Sequence, residues 1–149
     1  MRKQKPLRVA LISCTKTKRP GVHTAKDIYS SPRFKLIWQY VEPRYDCVFI
    51  LSAKHGLLPP ERRIRAYDET MHGRVRRVRE RWARKVERQI RAHIPRGAHI
   101  EFWCGAAYWG PLKEALERDY AVRTPLAHLR QGEQLQRIKR AIESSHPSA

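Results

Sequence analysis

Apolar positions along this chain fall into two kinds of pattern. Three short runs, Leu7 to Ser13 (LRVALIS), Cys47 to Ser52 (CVFILS) and Ile100 to Cys104 (IEFWC), are nearly continuous and rich in branched or aromatic residues. Strands buried on both faces read this way. Elsewhere the apolar residues recur at spacings of three and four. Ser30 or Ser31 is placed to cap a helix with Pro32 in its first turn, and Phe34, Ile37, Trp38 and Val41 follow on one face until Pro43 ends it. A longer helix is predicted from Gly73 to about Ile94, because Val75, Val78, Trp82, Val86 and Ile90 form a stripe that Pro95 and Gly97 terminate. Pro111 to Leu116 opens another helix, Ala121-Val122 is a short fourth strand, and Glu133 to Ile142 is a last amphipathic helix before a disordered tail from about residue 144. The basic stretch Cys14 to Asp27 and the stretch Lys54 to Pro60 read as loops.

Strand and helix therefore alternate, which is the pattern of a parallel sheet wound on both sides. The expectation is a single α/β domain over residues 1–149. It is a three-layer α/β/α sandwich around a small, mostly parallel sheet of about four strands. No internal repeat, low-complexity segment or linker interrupts it.

In such sheets ligands bind beyond the carboxyl ends of the strands, and that rule selects three loops. They are Cys14-Thr15-Lys16-Thr17-Lys18, Ala53-Lys54-His55-Gly56 and Gly105-Ala106-Ala107-Tyr108. Lys16, Lys18 and Lys54 supply positive charge, Gly56 and Gly105 permit close backbone approach, and Tyr108 offers a stacking face. Between the second strand and the long helix lies Ile64 to Met71, where Asp68 and Glu69 interrupt a basic stretch. One reading makes these carboxylates a helix cap or partners of nearby arginines. The other makes Asp68 a group that activates water or stabilises an oxocarbenium-like transition state, with Tyr67 as a wall for a base.

Charge then narrows the partner. The chain of 149 residues carries 32 Lys+Arg against 14 Asp+Glu, a formal charge of +18, and nucleic acid is the commonest partner of such a balance. Nine basic residues, Arg74, Arg76, Arg77, Arg79, Arg81, Arg84, Lys85, Arg88 and Arg91, crowd the long helix against only Glu80 and Glu87. Glu80 with Arg84 and Glu87 with Arg91 are expected i,i+4 pairs. The excess arginine suits bidentate contact with phosphate.

Other classes recede. No apolar run approaches the ~20 residues that cross a bilayer. Leu11-Ile12-Ser13-Cys14 behind Arg2, Lys3 and Lys5 imitates a lipoprotein processing site, but its apolar stretch is shorter than the ~7 to 15 residues of a signal-peptide core. A cytoplasmic location is expected. Cys14, Cys47 and Cys104 leave one cysteine over, so no disulfide framework is indicated. Cys14 and Cys104 end neighbouring strands, yet with His55 they make only a scattered ligand set, and buried thiols are the expectation. The patterns that hold ATP, dinucleotides or zinc are missing. No cofactor and no metal are expected.

With these residues in view, the sequence resembles the domain of unknown function numbered 6884, a family of small bacterial and phage proteins. The resemblance rests on Ser13-Cys14 with Lys16 and Lys18, on Ile28-Tyr29-Ser30-Ser31-Pro32-Arg33-Phe34, and on Ile50 to Leu57. Ala66-Tyr67-Asp68, Trp82, Gly105 to Tyr108 and Gly132-Glu133-Gln134-Leu135 complete it. More distantly the chain is similar to the peroxide-stress YaaA family, which binds DNA, and to the lyase core of archaeosine synthases, which act on a modified tRNA base. The spacing Cys14-x3-Lys18 is kept from the latter, while Arg19 stands before Pro20 and Phe34 stands where a histidine is sought. The uracil-DNA-glycosylase-like fold is a further likeness, and implies a base pocket at the strand ends.

The resulting expectation is a nucleic-acid-binding protein, for DNA rather than RNA, that hydrolyses an N-glycosidic bond. Asp68, His55 and Lys54 are the candidate catalytic groups. Cys14, Tyr29, Ser52, Tyr67, Gly105 and Tyr108 frame the base pocket. Lys16, Lys18, Arg74, Arg77, Arg81, Arg84 and Arg88 hold phosphate. A DNA-binding protein without catalysis and a tRNA-modifying enzyme with Lys54 or Cys14 as nucleophile are the alternatives.

Overall fold

Strand β1 (Arg8–Ser13) takes the centre of the sheet because Val9, Ala10, Leu11 and Ile12 are all buried, which only a strand covered on both faces allows. The structure is a computed structural model that describes residues 5–145 except 17 and 72. Thr17 and the expected tail at His146 to Ala149 lie outside the described residues. After β1 come β2 (Val22–Thr24), α1 (Ala25–Ile28), α2 (Pro32–Val41), β3 (Cys47–Ser52), β4 (Gly56–Leu58) and β5 (Arg63–Arg65). Then follow α3 (Arg76–His93), β6 (His99–Trp103), α4 (Ala106–Trp109), α5 (Lys113–Leu116), β7 (Ala121–Arg123) and α6 (Gln131–Ser145).

The five-stranded sheet has the order β4-β3-β1-β6-β7, and β3, β1, β6 and β7 are parallel. The chain winds outward from β1 to β3 and then crosses back to β6. Right-handed crossovers in opposite directions place α2 and α3 on opposite faces. α2 packs on β1 and on α6, whereas α3 packs against β4. The reversal leaves a crevice between the carboxyl ends of β1 and β6, where open α/β sheets bind their ligands. Ser31 caps α2 by accepting from the Phe34 amide at 3.1 Å, with Pro32 in the first turn.

Three expectations are corrected. The stretch after β3 is no loop: Gly56, at φ +76, turns the chain back so that Gly56–Leu58 pairs antiparallel with Ile50 to Ser52 as an edge strand. Three residues carry too little pattern to betray a strand. The pair β2 and β5 was also unforeseen, since Val22-His23-Thr24 against Arg63-Ile64-Arg65 shows no apolar alternation. It joins the loop after β1 to the loop after β4. Lastly, α3 starts at Arg76, three residues later than predicted, and its buried face is Trp82, Ala83, Val86 and Ile90. Val75 and Val78 are exposed because the first turn runs past the strand ends, where Trp82 Nε1 already donates to the Ser52 carbonyl at 2.8 Å.

Gly56 is fixed by more than its φ. A Cβ there would collide with Gln89 Oε1, the atom that accepts from the Leu57 amide at 2.9 Å. Substituting Gly56→Ala is expected to destabilise the protein by about 1–3 kcal/mol, measured by chemical denaturation. A change within error would show that the turn tolerates a side chain.

Candidate functional site

Ser52, the last residue of β3, is fully buried and polar, so its hydroxyl must be satisfied from within. It accepts from the His55 amide at 2.9 Å and the Lys54 amide at 3.2 Å, and it lies 2.7 Å from the Tyr67 hydroxyl. The Tyr67 hydroxyl lies 2.5 Å from that of Tyr29. Burial pushes both phenols well above the usual tyrosine range, so they are hydrogen-bonding hydroxyls at neutral pH. On the β6 side, Cys14 Sγ lies 3.2 Å from the Tyr108 hydroxyl, and Tyr108 meets the edge of Trp82 at 5.7 Å between ring centres. Burial likewise raises the Tyr108 phenol and the Cys104 thiol.

The predicted base pocket is therefore brought together, but as a floor. Cys14, Tyr29, Ser52, Tyr67 and Tyr108 are all buried, and Tyr29 is only 1% exposed. The open face of the Tyr67 ring is held by Lys18, whose Nζ sits 4.3 Å from its centre at a cation–π distance. The same ammonium donates to the Lys16 carbonyl at 3.3 Å. Burial lowers the affinity of Lys18 for its proton, against the pull of Cys14, Asp68 and Glu69. Gly105 sits at the start of α4 at φ −79, with open space where a Cβ would lie, so nothing here demands glycine.

Above this floor lies an open cleft of about 380 Å³, lined by Lys54, Ala66, Tyr67, Asp68, Glu69 and Arg74. It gathers predicted residues from two segments, the turn after β3 and the connection from β5 to α3. Asp68 and Glu69 are exposed, as is Lys16. His55 stands edge-on to Tyr67 at 5.5 Å between ring centres, and its Nε2 is buried with no partner among the described residues. Burial, then the positive charges of Lys54, Arg62 and Lys85, hold His55 below its ordinary pKa.

The predicted phosphate ligands divide. Arg74 borders the cleft, its Nε donating to the Thr70 carbonyl at 3.0 Å. Arg77, Arg81, Arg84 and Arg88 are exposed along α3. The expected Glu80–Arg84 pair does not form: Glu80 takes Arg76 at 2.7 Å, while Glu87 does pair with Arg91 at 3.4 Å. Lys85 Nζ donates to the Lys54 carbonyl at 3.3 Å, tying the basic helix to the cleft.

Two residues escaped the sequence reasoning. Arg33 of α2 donates to Gln134 Oε1, and buried Gln134 in turn donates to the carbonyls of Leu129 at 2.8 Å and Leu126 at 3.3 Å. Arg33 Nη1 is buried without a partner among the described residues, and burial depresses the guanidinium against the nearby Cys104. Arg33 and Gln134 fall within the segments that carry the family resemblance, which was the available signal. Their separation by 101 residues hid the pairing.

A depressed histidine favours the neutral form in the folded protein. Its stabilising contribution is complete above the unfolded value of about 6.5 and is lost as pH falls through the depressed folded value. Thermal melts are expected to show a lower Tm at pH 5 than at pH 7.5, with a smaller drop in His55→Gln. An equal drop in both proteins would count against a buried neutral His55.

The family model described as Family of unknown function (DUF6884) matches residues 9–140. That span runs from β1 into α6 and includes every element of the site. No curated protein and no solved structure matches the chain.

Proposed function

Starting from the fact that the chain belongs to the Family of unknown function (DUF6884), we propose that it binds nucleic acid along α3 and seats a nucleotide in the strand-end cleft. DNA is the preferred form. One observation carries this reading: an exposed band of arginines, with no carboxylate partner among the described residues, runs along the same helix that Lys85 joins to the cleft residue Lys54. A surface of like charges destabilises the compact state by self-repulsion, and phosphates relieve it.

The lining of the cleft favours a second step, hydrolysis of an N-glycosidic bond. Lys54, Lys18 and Arg74 would hold the phosphates that flank one nucleotide. Asp68, exposed at the cleft, would accept a proton from water as the water oxygen bonds to the sugar C1′. The C1′–N bond breaks with its electrons leaving on the base, which a proton then neutralises. His55 stands edge-on to the cleft residue Tyr67 at 5.5 Å between ring centres.

Binding of labelled DNA is expected to weaken steeply with salt, log K falling by about 0.7–0.9 per phosphate contacted. Replacing Arg77, Arg81, Arg84 and Arg88 by Gln should flatten that dependence by about four contacts' worth. Salt-independent binding would overturn the interface. Asp68→Asn separates the two steps: base release should be lost by two or more orders of magnitude with DNA affinity retained. Undiminished release in that variant would remove Asp68 from the reaction.

A further inference from the structure

Arg77, Arg81, Arg84 and Arg88 recur at four, three and four residues, which keeps them in one band along the helix. At ~1.5 Å per residue the band is about 16 Å long. All four are exposed, and among the described residues no carboxylate pairs with them. The two acids of α3 are drawn to one flank, where Glu80 pairs with Arg76 and Glu87 with Arg91, beside Ala115 of α5. On the other flank Lys85 and Gln89 reach the Lys54, His55 and Leu57 backbone. A polyanion laid on the band meets neutralised ion pairs on the α5 side and the further positive charge of Lys85 toward the cleft.

Proteins that hold single strands combine such charge with aromatic faces on which successive bases stack. No such platform exists here. The chain has four Trp, six Tyr and three Phe, all among the described residues, and none is exposed. Several half-buried rings are already covered: Trp38 stacks on Phe34, Tyr45 carries Arg8, Tyr40 carries Arg44, and Lys113 lies over Trp109. A flexible strand would have to be ordered on the band with no stacking to offset that cost. A duplex arrives ordered, and presents one phosphate charge per ~1.7 Å of its axis to a row of arginines spaced by a single helix.

Resting on the reading that α3 binds nucleic acid, we infer that its ligand class is double-stranded nucleic acid, gripped by the phosphates, and that a bare single strand is a poor ligand. The test is fluorescence anisotropy of the full chain with a short labelled DNA duplex and with either of its strands alone, across about 50 to 200 mM salt. The duplex is expected to bind at least about tenfold tighter, with a slope of log K against log salt near −3.6 for four contacts. The pair of substitutions Arg81→Gln and Arg84→Gln should make that slope shallower by about 1.8. Equal or tighter binding of the single strand would overturn the inference while leaving nucleic-acid binding standing. Failure of both probes to bind at low salt would defeat the underlying reading itself.

Discussion

Ser52 is where the architecture converges. A hydroxyl buried at the end of a sheet strand is costly unless every hydrogen bond it can form is formed. Here the partners are the amides of Lys54 and His55, which shape the turn into β4, and the hydroxyl of Tyr67, which anchors the 66–71 loop. Its carbonyl accepts from Trp82 and so fixes the height at which α3 meets the sheet. Tyr67 passes the network to Tyr29, beside which Lys18 is held by a backbone bridge. Loops from four parts of the chain thereby share one polar knot. The cleft above it inherits their positions.

The same helix serves the core and the surface, with opposite demands on each side. Trp82, Ala83, Val86 and Ile90 are buried, while the outward face is dominated by arginine. Exposed ion pairs contribute little individually, so Arg76–Glu80 and Glu87–Arg91 matter less for stability than for where they leave positive charge uncompensated. They neutralise one flank only. At the C-terminal end, Arg96 and Arg91 both hold Asp119, and their hydrogen bonds, then their charges, keep its carboxyl below the usual range. The free charge of α3 is thus concentrated on its outward band, which Lys85 links to the cleft residue Lys54.

The candidate site was legible as a set of residues and misread as a surface. Tyr29, Tyr67 and Tyr108 were singled out correctly as neighbours of the strand-end loops, but their rings are packed inward and their hydroxyls tie loops together. A tyrosine in a loop gives no local sign of whether its face or its hydroxyl is used. The partnership of Arg33 with Gln134 was equally invisible, because it depends on α2 and α6 packing together across most of the chain length.

The sequence by itself determined the central strands, the cap of α2, the apolar stripe of α3 and the excess of arginine on its far side. These are properties of residue spacing within a few turns, where periodicity and burial coincide. Only the tertiary structure decided that Gly56 to Leu58 is an edge strand, that β2 clasps β5, and that Val75 and Val78 stand in solvent. Each depends on what lies across space. Three-residue strands are stabilised by the partner strand they meet, and an apolar helical residue is buried only if the sheet extends far enough to cover it.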